Sequence, residues 1–240
     1  MTVSPYRDPG KNKKQQVEEM FDHIAPKYDL LNHVLSLGID KLWRKKAVAM
    51  LKQRRPLKIL DVATGTGDFA IETAKIKPDQ IVGFDLSEQM LRVGEEKVRK
   101  LRLDKLIRFQ KGDSEQMPFP AESFDAITVA FGVRNFEHLE KGLQEFHRVL
   151  KPGGVAVILE FSRPRGFPFK QLYLVYFRRI LPFIGGLVSK DASAYTYLPE
   201  SVMAFPDDQD FLDILSRTGF THSRQRRLTM GIATIYEAVK

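Results

Sequence analysis

One stretch of the chain combines an acid with a glycine-rich turn in a pattern typical of nucleotide-binding corners. Residues 59–70, ILDVATGTGDFA, begin as a short apolar run that contains Asp61 and continue into a loop with Gly65 and Gly67. A helical pattern starts near Asp68. Because glycine has no Cβ, the backbone of such a loop can turn sharply and approach a ligand closely. The spacing therefore predicts a strand, an acid, a glycine turn and a helix, with the ligand at the turn.

The glycine spacing fits two kinds of ligand. Gly65-x-Gly67-x-x-Ala70 matches the dinucleotide fingerprint, which tolerates alanine at the third position. Asp61 favours a different ligand, because a carboxylate beside a pyrophosphate is repulsive. S-adenosylmethionine (SAM) has no phosphate and carries a sulfonium and an ammonium, so an acid is favourable beside it. We therefore expect SAM to bind at Asp61, Gly65 and Gly67, and the alternative for Asp61 is a simple turn cap.

Two further acids follow the next predicted strands. Asp85 ends the second strand, about 20 residues past the glycine loop, where a carboxylate can bind both ribose hydroxyls. Asp113 and Ser114 end the third strand, where an acid and a backbone N–H can hold an adenine edge. Each acid alone is also compatible with a helix cap. Three acids at successive strand ends together predict a cofactor site along the carboxyl edge of the sheet.

Helix and strand patterns alternate along the chain, which predicts an α/β fold. The segments 57–63, 81–86, 107–113, 124–131 and 155–162 are typical of strands, and 87–101, 139–150 and 208–220 are typical of helices. The alternating segments 221–229 and 231–239 indicate an antiparallel pair. We expect a mostly parallel seven-stranded sheet with helices on both faces and an antiparallel last strand.

Two regions lie outside this alternation. Residues 1–51 are expected to form an N-terminal helical cap on a cofactor-binding domain that spans residues 52–240. Residues 163–206 are too long for a plain loop and predict a helical lid or substrate-binding insertion. Its apolar side chains and the Arg178-Arg179 pair are typical of a lipid-facing surface; the alternative is a core helix with two exposed arginines. The apolar residues in question are Leu172, Tyr173, Val175, Tyr176, Phe177, Ile180, Leu181, Phe183 and Ile184.

Composition excludes several classes of function. The chain of 240 residues has no cysteine, so thiolate catalysis and cysteine-ligated zinc are excluded, and its five histidines form no metal-binding motif. The net charge of +8 favours an acidic partner, but the basic residues are scattered and no nucleic-acid-binding motif accompanies them. Neither a signal-peptide core nor a span of about 20 apolar residues is present. We expect a cytoplasmic protein without a metal, and leave open peripheral contact with the inner face of a membrane.

Several longer motifs resemble a known family. The chain is similar to class I SAM-dependent methyltransferases with a Rossmann-like fold, and more closely to the ubiquinone/menaquinone biosynthesis C-methyltransferases. The resemblance covers residues from about 17 to the end, and its most specific motifs are YDLLN, FGVRN and DASAYTYLPES. The other matching segments are DVATGTGD, MPFPAESFDAITVAFGVRN, RVLKPGG and LEFS.

The resemblance implies a reaction and a substrate. SAM would methylate a ring carbon of demethylmenaquinol, of a 2-methoxy-6-polyprenyl-benzoquinol, or of both, and the alternative is a different lipid or small molecule. It also places Thr66, Asp85 and the Asp113-Ser114 pair at SAM. A serine that binds SAM in some members is Ala130 here, so that contact is absent. The implied partners are the polyprenylated quinol and, transiently, a membrane surface; a homodimer is compatible with the sequence.

Four residues are candidates for the chemistry of methyl transfer. Ring carbon becomes nucleophilic when a phenol of the reduced quinone loses its proton. Arg134 and Asn135, which follow the fourth strand, are expected to stabilise the phenolate. Tyr28 and Asp29 are expected to close the site and relay the proton. The alternatives are a salt bridge that fastens the loop for Arg134, and packing of a helix on the sheet for Tyr28 and Asp29.

Overall fold

The computed structural model describes residues 3–175 and 193–240. Its centre is a seven-stranded sheet in the order β3-β2-β1-β4-β5-β7-β6. The strands β1 to β5 are parallel, and β7 is antiparallel to both of its neighbours, β5 and β6. This confirms the predicted sheet. The strands are β1 (Lys58–Val62), β2 (Gln80–Asp85), β3 (Ile107–Lys111), β4 (Phe124–Ala130), β5 (Leu150–Phe161), β6 (His222–Leu228) and β7 (Ala233–Val239).

The described part of the chain also contains nine α-helices. Two of them begin at residues whose side chains accept a backbone N–H of the first turn: Asn12 accepts from Gln15, and Ser87 accepts from Met90. The helices are α1 (Lys13–Ile24), α2 (Tyr28–Leu35), α3 (Ile39–Lys52), α4 (Asp68–Thr73), α5 (Glu88–Lys100), α6 (Leu139–Val149), α7 (Phe169–Val175), α8 (Ser193–Ala204) and α9 (Gln209–Arg217).

Apolar side chains on both faces of the sheet form the core. On β1, Leu60 and Val62 pack into one buried cluster and Ile59 into the other. On β5, Ile158 belongs to the first cluster and Val157 to the second. Because successive side chains of a strand point to opposite faces, this division shows that both faces are covered by helices. The central strands are therefore rigidly held, and their carboxyl ends meet at one edge.

The fifth strand differs from its prediction. The sequence pattern predicts a helix that ends at Leu150 and a strand that starts at Val155, but β5 begins at Leu150 and runs through Pro152-Gly153-Gly154. The pairing with β4 shifts register there, from Phe124 opposite Leu150 to Ala126 opposite Val155. The extra residues form a bulge in which Gly153 has a φ of +75°. Proline and glycine are compatible with a bulged strand end, which the sequence pattern did not distinguish from a break.

The insertion at 163–206 is described in part. It contains α7 and α8, and Tyr173 of α7 is buried beside Val202 of α8, so Tyr173 contributes to the core rather than to an exposed apolar surface. Val175 is half-exposed. Most of the apolar residues and both arginines that suggested a lipid-facing surface lie outside the described residues. Among the described helices, none is long and apolar enough to cross a membrane.

Candidate active site

The glycine turn after β1 has the conformation that its glycines allow. Gly65 and Gly67 have φ of +55° and +81°. A Cβ on Gly67 would lie 2.8 Å from the Phe109 ring, so this position needs glycine for space as well as for conformation. The N–H of Gly65 donates to Oδ2 of Asp85 at 2.8 Å. The turn is thereby fixed to the end of β2.

Asp85 lies at the wall of an open cavity of about 730 Å³ at the carboxyl ends of the strands. Its Oδ1 accepts the N–H of Ser87 at 2.9 Å. Burial raises the pKa of Asp85, and hydrogen bonds from backbone N–H groups oppose this rise. We name this space the cofactor cavity; its lining includes Lys14, Val17, Phe21, Tyr28, Ala63, Gly65, Phe84, Asp85, Leu86, Met90, Asp113, Ser114, Phe131, Gly132 and Asn135.

Helix α1 closes one side of the cofactor cavity. Lys14 donates to Oδ2 of Asp113 at 2.5 Å, and the N–H of Glu115 donates to Oδ1 of the same carboxylate at 2.9 Å. Lys13 donates to the carbonyls of Arg134 and Phe136 at 3.1 and 2.7 Å. Burial, followed by the charge of Arg134, lowers the pKa of Lys13 to about 8. The N-terminal helix is therefore tied to the loops after β3 and β4.

Three of the predicted cofactor residues do not line this cavity: Gly67, which lies in the glycine turn, and the two side chains of Asp61 and Thr66. Asp61 is fully buried in β1, where its carboxylate accepts the hydroxyls of Thr64 and Thr128, each at 2.5 Å. Burial raises the pKa of Asp61 to about 6, against these hydrogen bonds. Thr66 is also buried and its hydroxyl donates to Asp29 at 2.5 Å. Their side chains therefore support the glycine turn from behind.

Tyr28 and Asp29 occupy different places although they are neighbours in sequence. Tyr28 lines the cofactor cavity, and burial raises the pKa of its phenol. Asp29 faces the glycine turn, where its second oxygen accepts Lys97 at 2.7 Å. Asp29 thus joins α2 to the turn through Thr66 and to α5 through Lys97. These contacts hold the segment against the glycine turn, and its roles in closing the site and relaying the proton stay predictions.

A second cavity, which we name the aromatic cavity, adjoins the first. The two share Phe21, Tyr28 and Phe131 in their walls. The rings of Phe131 and Phe161 stack with centroids 4.4 Å apart. The aromatic cavity is lined by Met20, Phe21, Ile24, Tyr28, Asn32, Ser36, Asp40, Arg44, Phe131, Arg134, Phe161, Ala194, Tyr197 and Leu198. Flat apolar walls with a few polar groups suit a planar ring.

Arg134 and Asn135 are divided between the two cavities. Arg134 lines the aromatic cavity, where its Nη1 donates to Oε1 of buried Glu160 at 2.9 Å. Asn135 lines the cofactor cavity, and its Oδ1 accepts the hydroxyl of Tyr197 at 3.1 Å. The salt bridge considered as the alternative for Arg134 is therefore present. It leaves most of the guanidinium donors available, so it is compatible with a role in ligand binding.

Several residues of the site were not predicted. Lys14, Glu160, Asp40 and Arg44 all lie at the cavities or hold residues that do. Glu160 lies within the LEFS motif, but the motif alone does not show which residue the acid contacts. Lys14 carries no local pattern, because its partner Asp113 is 99 residues away. Asp40 and Arg44 form an i,i+4 pair on α3, and the sequence alone does not show that this pair lies at a cavity.

Solved structures of methyltransferases have a similar fold. A SAM-dependent methyltransferase from Thermotoga maritima covers 92% of this chain with a TM-score of 0.66 at 18% identity. A phosphoethanolamine N-methyltransferase from Haemonchus contortus in complex with SAM covers 81% of this chain and 52% of its own, with a TM-score of 0.58 at 19% identity. The chain thus has the class I SAM-dependent methyltransferase fold. The model of the ubiE/COQ5 methyltransferase family matches residues 10–240, and the chain belongs to that family.

Relatives of high identity extend over nearly the whole chain. A demethylmenaquinone methyltransferase of Bacteroides fragilis is 53% identical over 239 residues, which are 99% of this chain and 97% of the relative. A ubiquinone/menaquinone biosynthesis C-methyltransferase of Geotalea daltonii is 49% identical over 95% of this chain and 97% of its own. A demethylmenaquinone methyltransferase of Deinococcus radiodurans is 50% identical over 94% of this chain and 93% of its own. The predicted family is confirmed.

Proposed function

We propose that this protein transfers the methyl group of SAM to a ring carbon of a polyprenylated quinol, with demethylmenaquinol as the principal substrate. The observation that carries the proposal is the junction of two cavities at Tyr28 and Phe131. One has acids at strand ends, and the other has aromatic walls and buried Arg134. The names of the relatives from Bacteroides fragilis and Deinococcus radiodurans support the naphthoquinol. No observation favours a different lipid or small molecule.

SAM is assigned to the cofactor cavity. In this assignment Asp85 binds the ribose hydroxyls, and Asp113 with Ser114 holds the adenine edge. The Gly65–Gly67 turn approaches the rest of the cofactor closely. Asp61 and Thr66 act on the cofactor through the turn: Asp61 supplies negative charge toward the sulfonium, and Thr66 fixes the turn to Asp29. The Asp113 carboxylate is paired with Lys14. In this assignment the same carboxylate therefore contacts both the adenine and that lysine.

The quinol ring is assigned to the aromatic cavity. When the phenol O–H bond breaks, its oxygen keeps the electron pair and the proton passes to solvent by way of Tyr28, which lines both cavities. The electron-rich ring carbon then forms a bond to the SAM methyl as the S–C bond breaks. Loss of the proton on that carbon restores the aromatic ring as a phenolate, which takes up one proton to give the quinol, so the net release is one proton for each methyl transferred. Arg134 and Asn135 stabilise the phenolate next to the reacting carbon.

The position of the turn that carries Arg134 and Asn135 suits this chemistry. The two residues are adjacent in the chain but line different cavities. The boundary between the cavities is therefore where the methyl group must cross, over a carbon–carbon distance of roughly 3–3.5 Å. Lys13 of α1 donates to the carbonyls of Arg134 and Phe136 in this turn. Helix α1 therefore both closes the cofactor cavity and fixes the turn.

Contact with a membrane surface is part of the proposal, because a polyprenyl tail resides in a bilayer. In the described part of the insertion, Phe167 is 83% exposed, and Phe169 and Val175 are also exposed. Lys170 lies beside them and supplies a positive charge for lipid headgroups. Formation of a homodimer stays a prediction.

The experiment uses purified protein, SAM with an isotopically labelled methyl group, and a demethylmenaquinone with a short prenyl tail. We expect labelled menaquinol when the quinone is first reduced, and no product from the oxidised quinone. Mass spectrometry locates the label on the ring. Equal rates with and without the reductant contradict the mechanism, and absence of product with the reduced quinone contradicts the proposed function.

A further inference from the structure

Two arginines face the aromatic cavity from different elements. Arg134 comes from the turn after β4, and Arg44 comes from α3. The guanidinium carbon of Arg134 lies 5.5 Å from the ring centroid of Phe161, and that of Arg44 lies 5.8 Å from the ring centroid of Phe131. These two rings form the stack in the cavity wall. Each ring of the stack therefore has a cation beside it.

Both arginines pair with a buried carboxylate, and Nη1 of Arg134 also donates to the carbonyl of Phe131. Nη1 of Arg44 donates to Asp40, and Nη1 of Arg134 donates to Glu160; these carboxylate side chains are 5% and 0% exposed. In both guanidinium groups Nε is buried and has no hydrogen-bond partner within the described structure. A guanidinium has five N–H donors, so each retains donors after pairing its carboxylate. Because buried donors without partners are costly, this arrangement favours acceptor atoms on a bound ligand.

Asp40 fixes the orientation of Arg44. Its Oδ1 accepts the hydroxyl of Ser36 at 2.6 Å, and Nδ1 of His33 lies 3.0 Å from its Oδ2. Nη2 of Arg44 lies 3.8 Å from Asp68, which is beyond hydrogen-bond distance. The side chain of Arg44 is itself 9% exposed. Within the part of the chain that the structure describes, this buried arginine therefore has one hydrogen bond, to Asp40, and it lies at the wall of a cavity.

We propose that Arg44 binds a second oxygen of the methyl-acceptor ring, so that the aromatic cavity selects a ring with two oxygens para to each other. The inference rests on the proposed function. In a 1,4-hydroquinone, the oxygen next to the acceptor carbon activates that carbon and is assigned to Arg134. The oxygen across the ring takes no part in the bond changes, yet it is a polar atom that needs a partner in an aromatic cavity. Arg44 supplies that partner, and it determines specificity for the para diol.

The test compares two ligands that differ by one hydroxyl. One is a reduced demethylnaphthoquinone with a short prenyl tail, and the other is the same compound without the hydroxyl across the ring from the reacting oxygen. Their dissociation constants are measured with S-adenosylhomocysteine present and under reducing conditions. Because a hydrogen bond to a charged donor is lost, the wild-type protein is expected to bind the second compound about 10- to 100-fold more weakly.

Variants assign this preference to Arg44. Arg44→Gln removes the cation, and Arg44→Lys keeps the ion pair with Asp40 but lacks the planar fork. In both variants we expect the ratio of the two dissociation constants to approach one. The matched control is Lys45→Gln, an exposed position on the same helix, which is expected to keep the wild-type ratio. Thermal melting with S-adenosylhomocysteine confirms that each variant is folded.

The outcomes separate this inference from the proposed function. Equal binding of the two compounds by the wild-type protein overturns the role of Arg44, even if Arg44→Lys does not fold. A folded Arg44→Lys with the wild-type ratio overturns it as well. In both of these cases methylation of the quinol still supports the proposed function. Failure of the wild-type protein to methylate any reduced quinol overturns the proposed function itself.

Discussion

Nη1 of Arg134 lies 2.9 Å from Oε1 of Glu160, a carboxylate with no exposed surface. The backbone N–H of Arg134 also donates to Glu160, to Oε2 at 3.3 Å. Burial raises the pKa of Glu160, and the positive charge of Arg134 opposes this rise. The arginine assigned to the phenolate is therefore held by an acid at the end of the neighbouring strand, β5. Nη1 of Arg134 also donates to the carbonyl of Phe131 in its own turn, so both the acid and the turn hold the side chain.

Replacement of Glu160 by glutamine is expected to lower the free energy of unfolding by about 3 kcal/mol, because it leaves the Arg134 cation buried without a counter-charge. Chemical denaturation at neutral pH measures this change. Glu88→Gln is the control, since Glu88 forms an exposed pair with Arg92 and is expected to change stability little. An unfolding midpoint of Glu160→Gln equal to the wild-type value contradicts the prediction.

Asp85→Ala is expected to weaken SAM binding about 10- to 100-fold, because the ribose loses charge-assisted hydrogen bonds. Calorimetric titration with SAM gives the dissociation constant. Asp125→Ala provides a comparison: this acid accepts the N–H groups of Leu57 and Lys58 at the opposite edge of the sheet and is expected to leave SAM affinity unchanged. If both variants lose SAM affinity to the same extent, the cause is a general effect on folding and the role of Asp85 at the ribose is contradicted.

The affinity for SAM is expected to depend on pH through Asp61. Its pKa is raised by burial to about 6, so the carboxylate is ionised above that pH and progressively protonated below it. A negative charge favours the cationic cofactor, and affinity is therefore highest above about pH 6 and falls by at most tenfold for each unit below it. Titrations from about pH 5 to about pH 8 measure this. Asp61→Asn is expected to bind SAM more weakly at the upper end and to show a flatter profile, and a wild-type profile in that variant contradicts the assignment.

Local pattern explains which parts of the site could be predicted from the sequence. The glycine turn and Asp85 were predictable because each follows an apolar strand at a fixed spacing, and parallel strands end at one edge. The observed bond between Gly65 and Asp85 joins two such elements directly. The helices and strands around them were recognised for the same reason, since periodicity records which face is buried.

Contacts between distant segments were not predictable in this way. Lys14 and Asp113 are 99 residues apart, and no feature near either residue indicates the other. The same holds for Thr66, whose hydroxyl turns to Asp29 rather than to the cofactor cavity. Phe131 adopts a φ of +59°, a conformation that its residue type does not suggest. These features depend on how the N-terminal helices pack on the sheet.

Gly67→Ala is expected to destabilise the protein more than Gly153→Ala. Both glycines have positive φ, so both alanines carry a similar backbone cost of about 1 kcal/mol. A Cβ at Gly67 also meets the Phe109 ring at 2.8 Å, whereas nothing lies within 4 Å of a Cβ at Gly153. Denaturant unfolding of the two variants measures the difference. Combining Gly67→Ala with Phe109→Leu is expected to recover part of the lost stability, because the smaller side chain makes room for the Cβ. Equal stabilities of the two single alanine variants contradict the steric explanation.

Arg134 is the residue assigned to stabilise the phenolate. Arg134→Lys keeps a positive charge opposite Glu160, so the fold and the cofactor cavity, which Arg134 does not line, are expected to persist. The lysine lacks the planar fork that binds a carboxylate and a ligand oxygen at once. Single-turnover methyl transfer is therefore expected to slow by about 10²–10³, the usual effect of removing one preorganised donor, while SAM affinity stays near the wild-type value.

The pH dependence of that single turnover distinguishes a catalytic from a structural role. If Arg134 lowers the pKa of the bound phenol, Arg134→Lys requires a higher pH to reach its maximal rate, because the phenolate is less stabilised. A variant that only loosens the fold loses rate at every pH and melts earlier. Normal turnover by Arg134→Lys, with an unshifted pH profile, shows that Arg134 serves only in the salt bridge with Glu160. Asn135 and Arg44 are then the remaining candidates for the partner of the phenolate.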